Sequence, residues 1–380
     1  MPCNCKRYLR HPQCIINKYS SCCYEPSMIY YYLQFVCNVL CNILDKPYVK
    51  FSPRLKPAVP PLPPPKPKVW PPQPPPRPTA IKPEQTSSSI VATVEQSSTY
   101  DSVIRGVALL GDHLYVLHMR AGDHLDELDA HNLQLQRQLS VPDESWRHLS
   151  DMASCQRRRR LYISHNTSNC VYVLALTAVE AWSTWMTDGS PWGLSVTPDT
   201  GNLFVTMRYV CRVDEYSPEG QCLRRVDLQR SGAFCPWHAL QLSSIPSEPE
   251  MLLVGHGDRT DDAVRVGLVR VLDGRSGVGK CWYGGRPGDS GHLLTRPQHL
   301  AIGRNGTIAV ADVFNDRVVL LDDQLQHISD VEASAGDREA GWLTARVFWI
   351  GRRLCVAEVQ SIEGKFTAAR ITIYDLPSLV

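Results

Sequence analysis

The sequence predicts an all-β protein, a six-bladed β-propeller that follows a proline-rich N-terminal region. Three observations lead to this prediction: prolines are concentrated near the N-terminus, short apolar runs recur along the rest of the chain, and turn residues separate those runs. Of the 29 prolines in the 380 residues, 19 precede Tyr100. Hydrophobic residues make up 43% and charged residues 21%, which excludes collagen, a coiled coil and a polytopic membrane protein.

Residues 1–50 form a cysteine-rich leader that contains an uncharged apolar segment at 27–44. Four basic residues precede this segment, as in a signal-anchor whose positive side faces the cytoplasm. Against a spanning helix, Gln34, Asn38 and Asn42 would share one helical face, and 18 residues is the lower limit for crossing a bilayer. The alternatives are a membrane anchor, an amphipathic or partly buried helix, and unstructured chain.

Residues 51–87 form a proline-rich linker, in which 15 of the 31 residues from Pro53 to Pro83 are proline. Because proline fixes φ and donates no amide hydrogen, this stretch predicts polyproline II rather than helix or sheet. Such a chain is a stiff spacer, and its PxxP cores also suit the aromatic grooves of Src-homology-3 and WW domains. The residues that would contact such a domain are Pro61, Pro64, Lys66, Pro72, Pro75 and Arg77.

The charge and the cysteine content limit which partners and which cellular compartment we expect. Residues 1–99 carry 12 basic and 4 acidic groups, so the remaining residues carry 28 basic and 34 acidic groups, a net charge of −6. Since non-specific nucleic-acid binding depends on neutralising phosphates, we do not expect a nucleic-acid partner. The seven cysteines of the acidic part are scattered, which predicts free thiols in a reducing compartment. We therefore expect a cytoplasmic protein, with anchoring through 27–44 as the alternative.

Residues 88–380 contain six similar units. One apolar run recurs at intervals of 42 to 56 residues, and its copies begin at Leu114, Leu161, Leu203, Leu252, Ile308 and Leu354. This interval favours a propeller over a sandwich or a barrel, because one four-stranded blade needs about that many residues.

The last unit predicts how the ring closes. It supplies three strands, at 345–350, 354–359 and 369–375, and would leave an unpaired sheet edge. An isolated β-type run, Ile90–Glu95, lies between the linker and the first unit. We expect it to pair as the missing outer strand beside Ala369–Asp375.

Two units resemble a known repeat. The segment from Arg296 to Val318 (RPQHLAIGRNGTIAVADVFNDRV) resembles the NHL repeat, with its opening proline, Asn-Gly turn, Val-Ala-Asp strand end and closing Asn-x-Arg-Val. The segment from Pro191 to Asp214 is a looser copy, and the other units keep the spacing without the Asn and Arg. The resemblance implies a non-enzymatic scaffold that binds a protein or peptide, as in NHL-type ubiquitin ligases, where such a propeller recognises substrates for degradation. This chain lacks the RING and B-box cysteine pattern.

Two other functions stay open beside this one. The shape also resembles metal-dependent lactonases and lyases, which hold a divalent ion over the central channel, and some NHL propellers bind RNA. The loops that enter innermost strands and those that follow second strands should lie on one face around the channel. The residues expected to bind a partner there are Arg120, His165, Trp192, Arg208, Trp237, His256, Gln298, Asp312 and Glu358. Because they mix charges and aromatic rings without a repeated His or Glu ligand, they favour protein recognition, and we expect no catalytic residue, metal or cofactor.

Overall fold

Short strands joined by turns make up most of the computed structural model, which describes residues 93–376 apart from residues 101, 120–123, 141–147, 178, 234, 244–249, 258–263, 285–293, 333–341 and 363–364. The leader, the apolar segment 27–44, the proline-rich linker and Arg120 lie outside these residues. In the part of the chain that is described, no helix is both long and apolar enough to cross a membrane.

The strands follow one another in groups of four. After β1 (Thr93–Tyr100), the first group is β2 (Val103–Leu110), β3 (His113–Met119), β4 (His124–Asp129) and β5 (Leu135–Ser140). The second group is β6 (Leu149–Cys155), β7 (Arg160–His165), β8 (Cys170–Leu176) and β9 (Glu180–Met186). The third group is β10 (Leu194–Val196), β11 (Leu203–Met207), β12 (Arg212–Tyr216) and β13 (Cys222–Asp227).

The remaining strands repeat this order. The fourth group is β14 (Pro236–Ser243), β15 (Met251–His256), β16 (Arg265–Leu272) and β17 (Ser276–Tyr283). The fifth group is β18 (Pro297–Ile302), β19 (Ile308–Asp312), β20 (Arg317–Leu321) and β21 (His327–Glu332). The sixth is β22 (Trp342–Ile350), β23 (Arg353–Ile362) and β24 (Lys365–Asp375), which β1 completes.

These strands form a β-propeller, which confirms the predicted fold class. The first strands of neighbouring groups contact one another around the centre, so they are the innermost strands. Apolar runs occupy the inner and middle strands, which are buried on both faces, whereas the outermost strands β5, β9 and β13 are largely exposed.

The hydrogen-bonded sheets differ from six separate blades at one place. Among the described residues there are four sheets of four strands and one of eight. The eight-stranded sheet consists of the third and fourth groups, joined by a single parallel pair between Asp227 and Ser276. A Cβ atom at Gly277, next to Ser276, would lie 2.7 Å from Val269 Cγ1 and 3.3 Å from the carbonyl oxygen of Asp227, so a larger residue there would displace its neighbours.

The N-terminal strand closes the ring as the sequence predicts. β1 pairs antiparallel with β24, from Thr93 opposite Asp375 to Tyr100 opposite Ala369. The pairing strand begins at Thr93 and runs beyond the expected Glu95, while residues 90–92 lie outside the described part of the chain. Behind this pair, apolar side chains of the first and sixth groups form one buried cluster, which stabilises the junction.

Candidate functional site

Two short 3₁₀ turns lie on the face that the sequence predicts to bind a partner. The turn Arg208–Val210 follows β11, and the turn Val313–Asn315 follows β19. Each ends at a residue in the left-handed region, Cys211 at φ 51° and Asp316 at φ 50°. The two segments that resemble the NHL repeat therefore share the same local structure.

The first turn rests on a cluster of aromatic rings and guanidinium groups. The guanidinium of Arg208 lies 3.5 Å from the ring centroid of Trp237 and 4.9 Å from that of Trp192. The two indoles meet almost at right angles, with centroids 5.4 Å apart. Arg296 approaches Trp237 at 4.2 Å. A cation–π contact contributes about 2 kcal/mol when it is desolvated and less when it is exposed, so the buried contact between Arg208 and Trp237 stabilises the turn most.

The exposed part of this cluster is aromatic and apolar. Tyr209 is 46% exposed and Val210 is 49% exposed, whereas Arg208 and Trp237 are buried beneath them. Trp192 is half-buried and makes an edge-to-face contact with Tyr209. We call this exposed turn and its support, residues 192, 208–210, 237 and 296, the aromatic turn.

Four other residues predicted for this face are buried at equivalent places. His165, His256 and Asp312 each end the second strand of a group, and Glu358 lies near the end of the second strand of the sixth group. All four are at most 1% exposed. The structure thus places them beneath the loops, where they organise backbone and neighbouring side chains rather than contact solvent.

Asp312 shows how such a residue shapes the face. Its Oδ1 atom accepts hydrogen bonds from the backbone N–H of Thr295 at 2.8 Å and of Arg296 at 3.1 Å. Its Oδ2 atom accepts from Asn315 Nδ2 at 2.6 Å and from Arg317 Nε at 3.3 Å. Asp312 therefore fixes both the second 3₁₀ turn and the segment that carries Arg296 to Trp237.

The remaining members of this set have similar supporting contacts. His165 Nδ1 accepts from the backbone N–H of Ser168 at 3.1 Å. Glu358 accepts two hydrogen bonds from Arg370, and burial raises the pKa of its carboxyl group. Burial lowers the pKa of His256 to about 3, so its imidazole is neutral. Gln298 is half-buried on β18.

A second group of polar side chains lies at the centre of the ring. Asp151 on β6, His238 on β14, His299 on β18 and Arg346 on β22 come from four innermost strands. In each of these strands the pairing register shifts at the residue just before it, a β-bulge that redirects the side chain. We call these four residues the axial cluster.

Hydrogen bonds satisfy the charged members of the axial cluster. Arg346 Nε donates to Asp151 Oδ1 at 3.1 Å, and the backbone N–H of Leu194 donates to Asp151 Oδ2 at 2.9 Å. His238 Nε2 donates to the carbonyl oxygen of Leu194 at 2.9 Å and its ring stacks on His299. Burial lowers the pKa of both imidazoles, which are therefore neutral.

The third group contributes a glycine to this arrangement. A Cβ atom at Gly193 would lie 2.3 Å from the carbonyl oxygen of Trp237 and 2.9 Å from His238. The absence of a side chain therefore lets the backbone of Leu194 reach Asp151 and His238.

The axial cluster does not fit the divalent ion that the alternative hypothesis of a metal-dependent lactonase or lyase implies. Asp151, His238 and His299 place potential ligand atoms within 4.8 Å of one another. However, both carboxylate oxygens of Asp151 already accept N–H donors, one of them from a cationic guanidinium. The positive charge of Arg346 also lowers the pKa of both imidazoles, after burial, and the same charge would repel a metal cation bound there.

A cavity of about 450 Å³ lies beside the two imidazoles of the axial cluster. Its lining includes His238 and His299 together with apolar side chains from the later parts of innermost strands, such as Leu109, Leu242 and Trp349. These apolar side chains lie toward the C-terminal ends of the innermost strands, whereas Trp192 and Trp237 of the aromatic turn lie just before or at the N-terminal ends of β10 and β14.

Comparisons with known proteins agree with the fold. No family model and no curated relative matches the chain. The β-propeller domain of Cps50 (Swd1) from Myceliophteria thermophila is 11% identical, with 75% of this chain and 99% of that one covered and a TM-score of 0.50. Virginiamycin B lyase from Staphylococcus aureus is 10% identical over 74% of this chain and 88% of that one, with a TM-score of 0.48. At 11% identity, the likeness to the Cps50 (Swd1) propeller supports the β-propeller fold alone.

Proposed function

We propose that this propeller is a non-enzymatic recognition module that binds a protein or peptide through the aromatic turn. The observation that carries the proposal is the exposure of Tyr209 and Val210 on a turn that is held from below by Arg208 and Trp237. Rigid aromatic side chains contribute large contact areas at small entropic cost, and aromatic residues and arginine dominate binding hot spots.

The geometry favours recognition over catalysis in this part of the chain. The buried Asp312 forms hydrogen bonds that position the turn and Arg296, and its carboxylate reaches no solvent. In the axial cluster, the acid is neutralised by Arg346 and the imidazoles are buried and neutral. Groups with these contacts suit a scaffold better than a general acid or base, which must reach its substrate.

The NHL resemblance suggests a biological setting for such a module. Recognition of substrates in ubiquitin-dependent degradation would use the propeller as a substrate-binding subunit, together with a separate ligase. The PxxP cores around Pro61, Pro64 and Lys66, and around Pro72, Pro75 and Arg77, would recruit a Src-homology-3 or WW domain. The two binding activities would be independent.

The experiment compares proximity labelling by three full-length proteins in the same cells. These are the wild type, the double variant Tyr209→Ala/Val210→Ala, and the control Leu223→Ala. Leu223 is 47% exposed on the outermost strand β13. Its substitution therefore removes a side chain as exposed as Tyr209 and Val210, but away from the aromatic turn. A partner recovered with the wild type and the control should be lost with the double variant.

Direct binding then tests each recovered partner with purified protein. The double variant should weaken binding at least ten-fold, which corresponds to about 1.4 kcal/mol, while Leu223→Ala leaves it unchanged. Equal affinities of all three proteins would refute recognition by this turn. A steep salt dependence with single-stranded RNA would instead favour the nucleic-acid alternative.

A further inference from the structure

Three potential metal ligands meet in the first sheet, away from the axial cluster. His118 lies on β3, and His124 and Asp126 lie on the neighbouring strand β4. His118 Nε2 is 3.1 Å from Asp126 Oδ2, and His124 Nε2 is 3.3 Å from Asp126 Oδ1. The ligand atoms of all three residues lie within 4.8 Å of one another. Each imidazole thus directs its Nε2 atom toward the same carboxylate.

These separations match the spacing of ligands around zinc. A tetrahedral ion with bonds of about 2.0–2.1 Å places neighbouring ligand atoms about 3.3 Å apart. The two imidazole rings are stacked with centroids 4.9 Å apart, so both nitrogens can approach a common point beside the carboxylate. A divalent ion could therefore bind with small movements of the side chains.

Neighbouring side chains hold these ligands in the orientation that a metal site requires. Ser102 Oγ lies 2.6 Å from His118 Nδ1, so it can accept a hydrogen bond from the N–H group of the tautomer whose lone pair is on Nε2. Gln138 Nε2 donates to Asp126 Oδ1 at 3.0 Å. Metal-binding histidines and carboxylates are typically oriented by such outer hydrogen bonds.

One of the ligand atoms is buried and close to the carboxylate. His118 is 2% exposed, and its Nε2 atom lies 3.1 Å from Asp126 Oδ2. In the tautomer that carries its proton on Nδ1, this nitrogen presents a lone pair toward the carboxylate, and a metal ion between the two atoms would satisfy both. His124 is 34% exposed, so an ion can reach the cluster from solvent.

We propose that His118, His124 and Asp126 bind Zn²⁺ and leave a coordination position open to water or to a partner's side chain. Two imidazoles and one carboxylate suit zinc better than Mg²⁺ or Ca²⁺, which prefer sites made entirely of oxygen. This site is independent of the recognition proposed for the aromatic turn. Unlike Asp151 in the axial cluster, Asp126 has an imidazole, rather than a guanidinium, beside each of its oxygens.

The test titrates the metal-free full-length protein with Co²⁺, a spectroscopic substitute for zinc, and then displaces it with Zn²⁺. The wild type should bind one Co²⁺ at this site, with the visible absorption of a tetrahedral nitrogen–oxygen site and without a thiolate charge-transfer band. His124→Gln and Asp126→Asn should each weaken this binding at least ten-fold. Ser102→Ala should weaken it by about ten-fold through loss of the outer hydrogen bond.

The matched control is His113→Gln, which removes another histidine from β3. His113 Nδ1 lies 3.1 Å from Glu127 Oε1 and is not part of the cluster, so this variant should bind Co²⁺ as the wild type does. Zinc should also raise the melting temperature of the wild type and of the control, but not that of His124→Gln. No binding by the wild type would overturn the proposal. Binding unchanged in His124→Gln, or abolished by His238→Gln instead, would also overturn it.

Discussion

Arg346 and Asp151 form a buried ion pair between the sixth and second groups of strands, although 195 positions separate them in the sequence. The guanidinium also donates to the carbonyl oxygens of Ala345 and Ser150, at 2.9 and 2.6 Å. This arrangement ties innermost strands together across the centre of the ring.

Removal of one partner should therefore strongly destabilise the protein. We expect Arg346→Met to lower the free energy of unfolding by about 3–5 kcal/mol, because Asp151 is left buried without its counter-charge. The double variant Arg346→Met/Asp151→Asn should recover part of this loss. Chemical denaturation of the wild type and these two variants measures both effects. Arg158→Met, which breaks an exposed pair with Glu219, should cost at most about 1 kcal/mol and serves as the control.

Asp312 gives a second prediction, which links stability to the binding face. Asp312→Ala should lower the free energy of unfolding by about 3 kcal/mol, because the N–H groups of Thr295 and Arg296 lose a charged acceptor. Asp312→Asn should cost less, since its amide oxygen can still accept those two bonds. Equal losses in the two variants, measured by denaturant unfolding, would contradict this role.

Buried histidines should make stability depend on pH. In the folded state the pKa of His256 is about 3, whereas an unfolded histidine titrates near pH 6.5. Between these values the unfolded state binds the additional proton, so the stabilising contribution of His256 is complete above pH 6.5 and is lost as the pH falls. The slope from this residue is up to about 1.4 kcal/mol per pH unit, and His238 and His299 act in the same direction.

Substitution of His256 isolates this contribution. His256→Gln and His256→Phe should both show a flatter dependence of the free energy of unfolding between pH 6 and pH 4 than the wild type. The comparison uses denaturant unfolding at each pH. If both variants keep the slope of the wild type, the imidazole of His256 is protonated in the folded protein and the assignment is wrong.

Local sequence patterns predicted most of the fold. The recurring apolar runs became the second strands of their groups, and the isolated run near Thr93 became the strand that pairs with β24. The spacing of the repeats carried this information because each group must bury the same faces against its neighbours. The contact between Asp227 and Ser276 that joins two groups has no comparable signal.

The site could be predicted only in part. Trp192, Arg208 and Trp237 meet because strand ends in neighbouring groups converge, which the repeat pattern already implies. Burial of His165, His256 and Glu358 depends on how the loops cover the strand ends, and spacing does not reveal this.

The axial cluster was missed for a related reason. Its four residues occupy bulges in strands that are far apart in sequence, and no local pattern marks a bulge. The sequence has no recognisable ligand motif that would predict the proximity of His118, His124 and Asp126.

The central claim is that β1 closes the ring, since the aromatic turn and the axial cluster are assembled only in a closed propeller. The most direct measurement compares thermal unfolding and oligomeric state of two truncated proteins, one lacking residues 1–84 and one lacking residues 1–100. The first should unfold cooperatively as the full-length protein does, whereas the second should aggregate or melt at a much lower temperature because β24 is left unpaired. A synthetic peptide covering residues 90–101 should restore the second protein. Equal melting temperatures of the two proteins, both without aggregation, would contradict the closure of the ring.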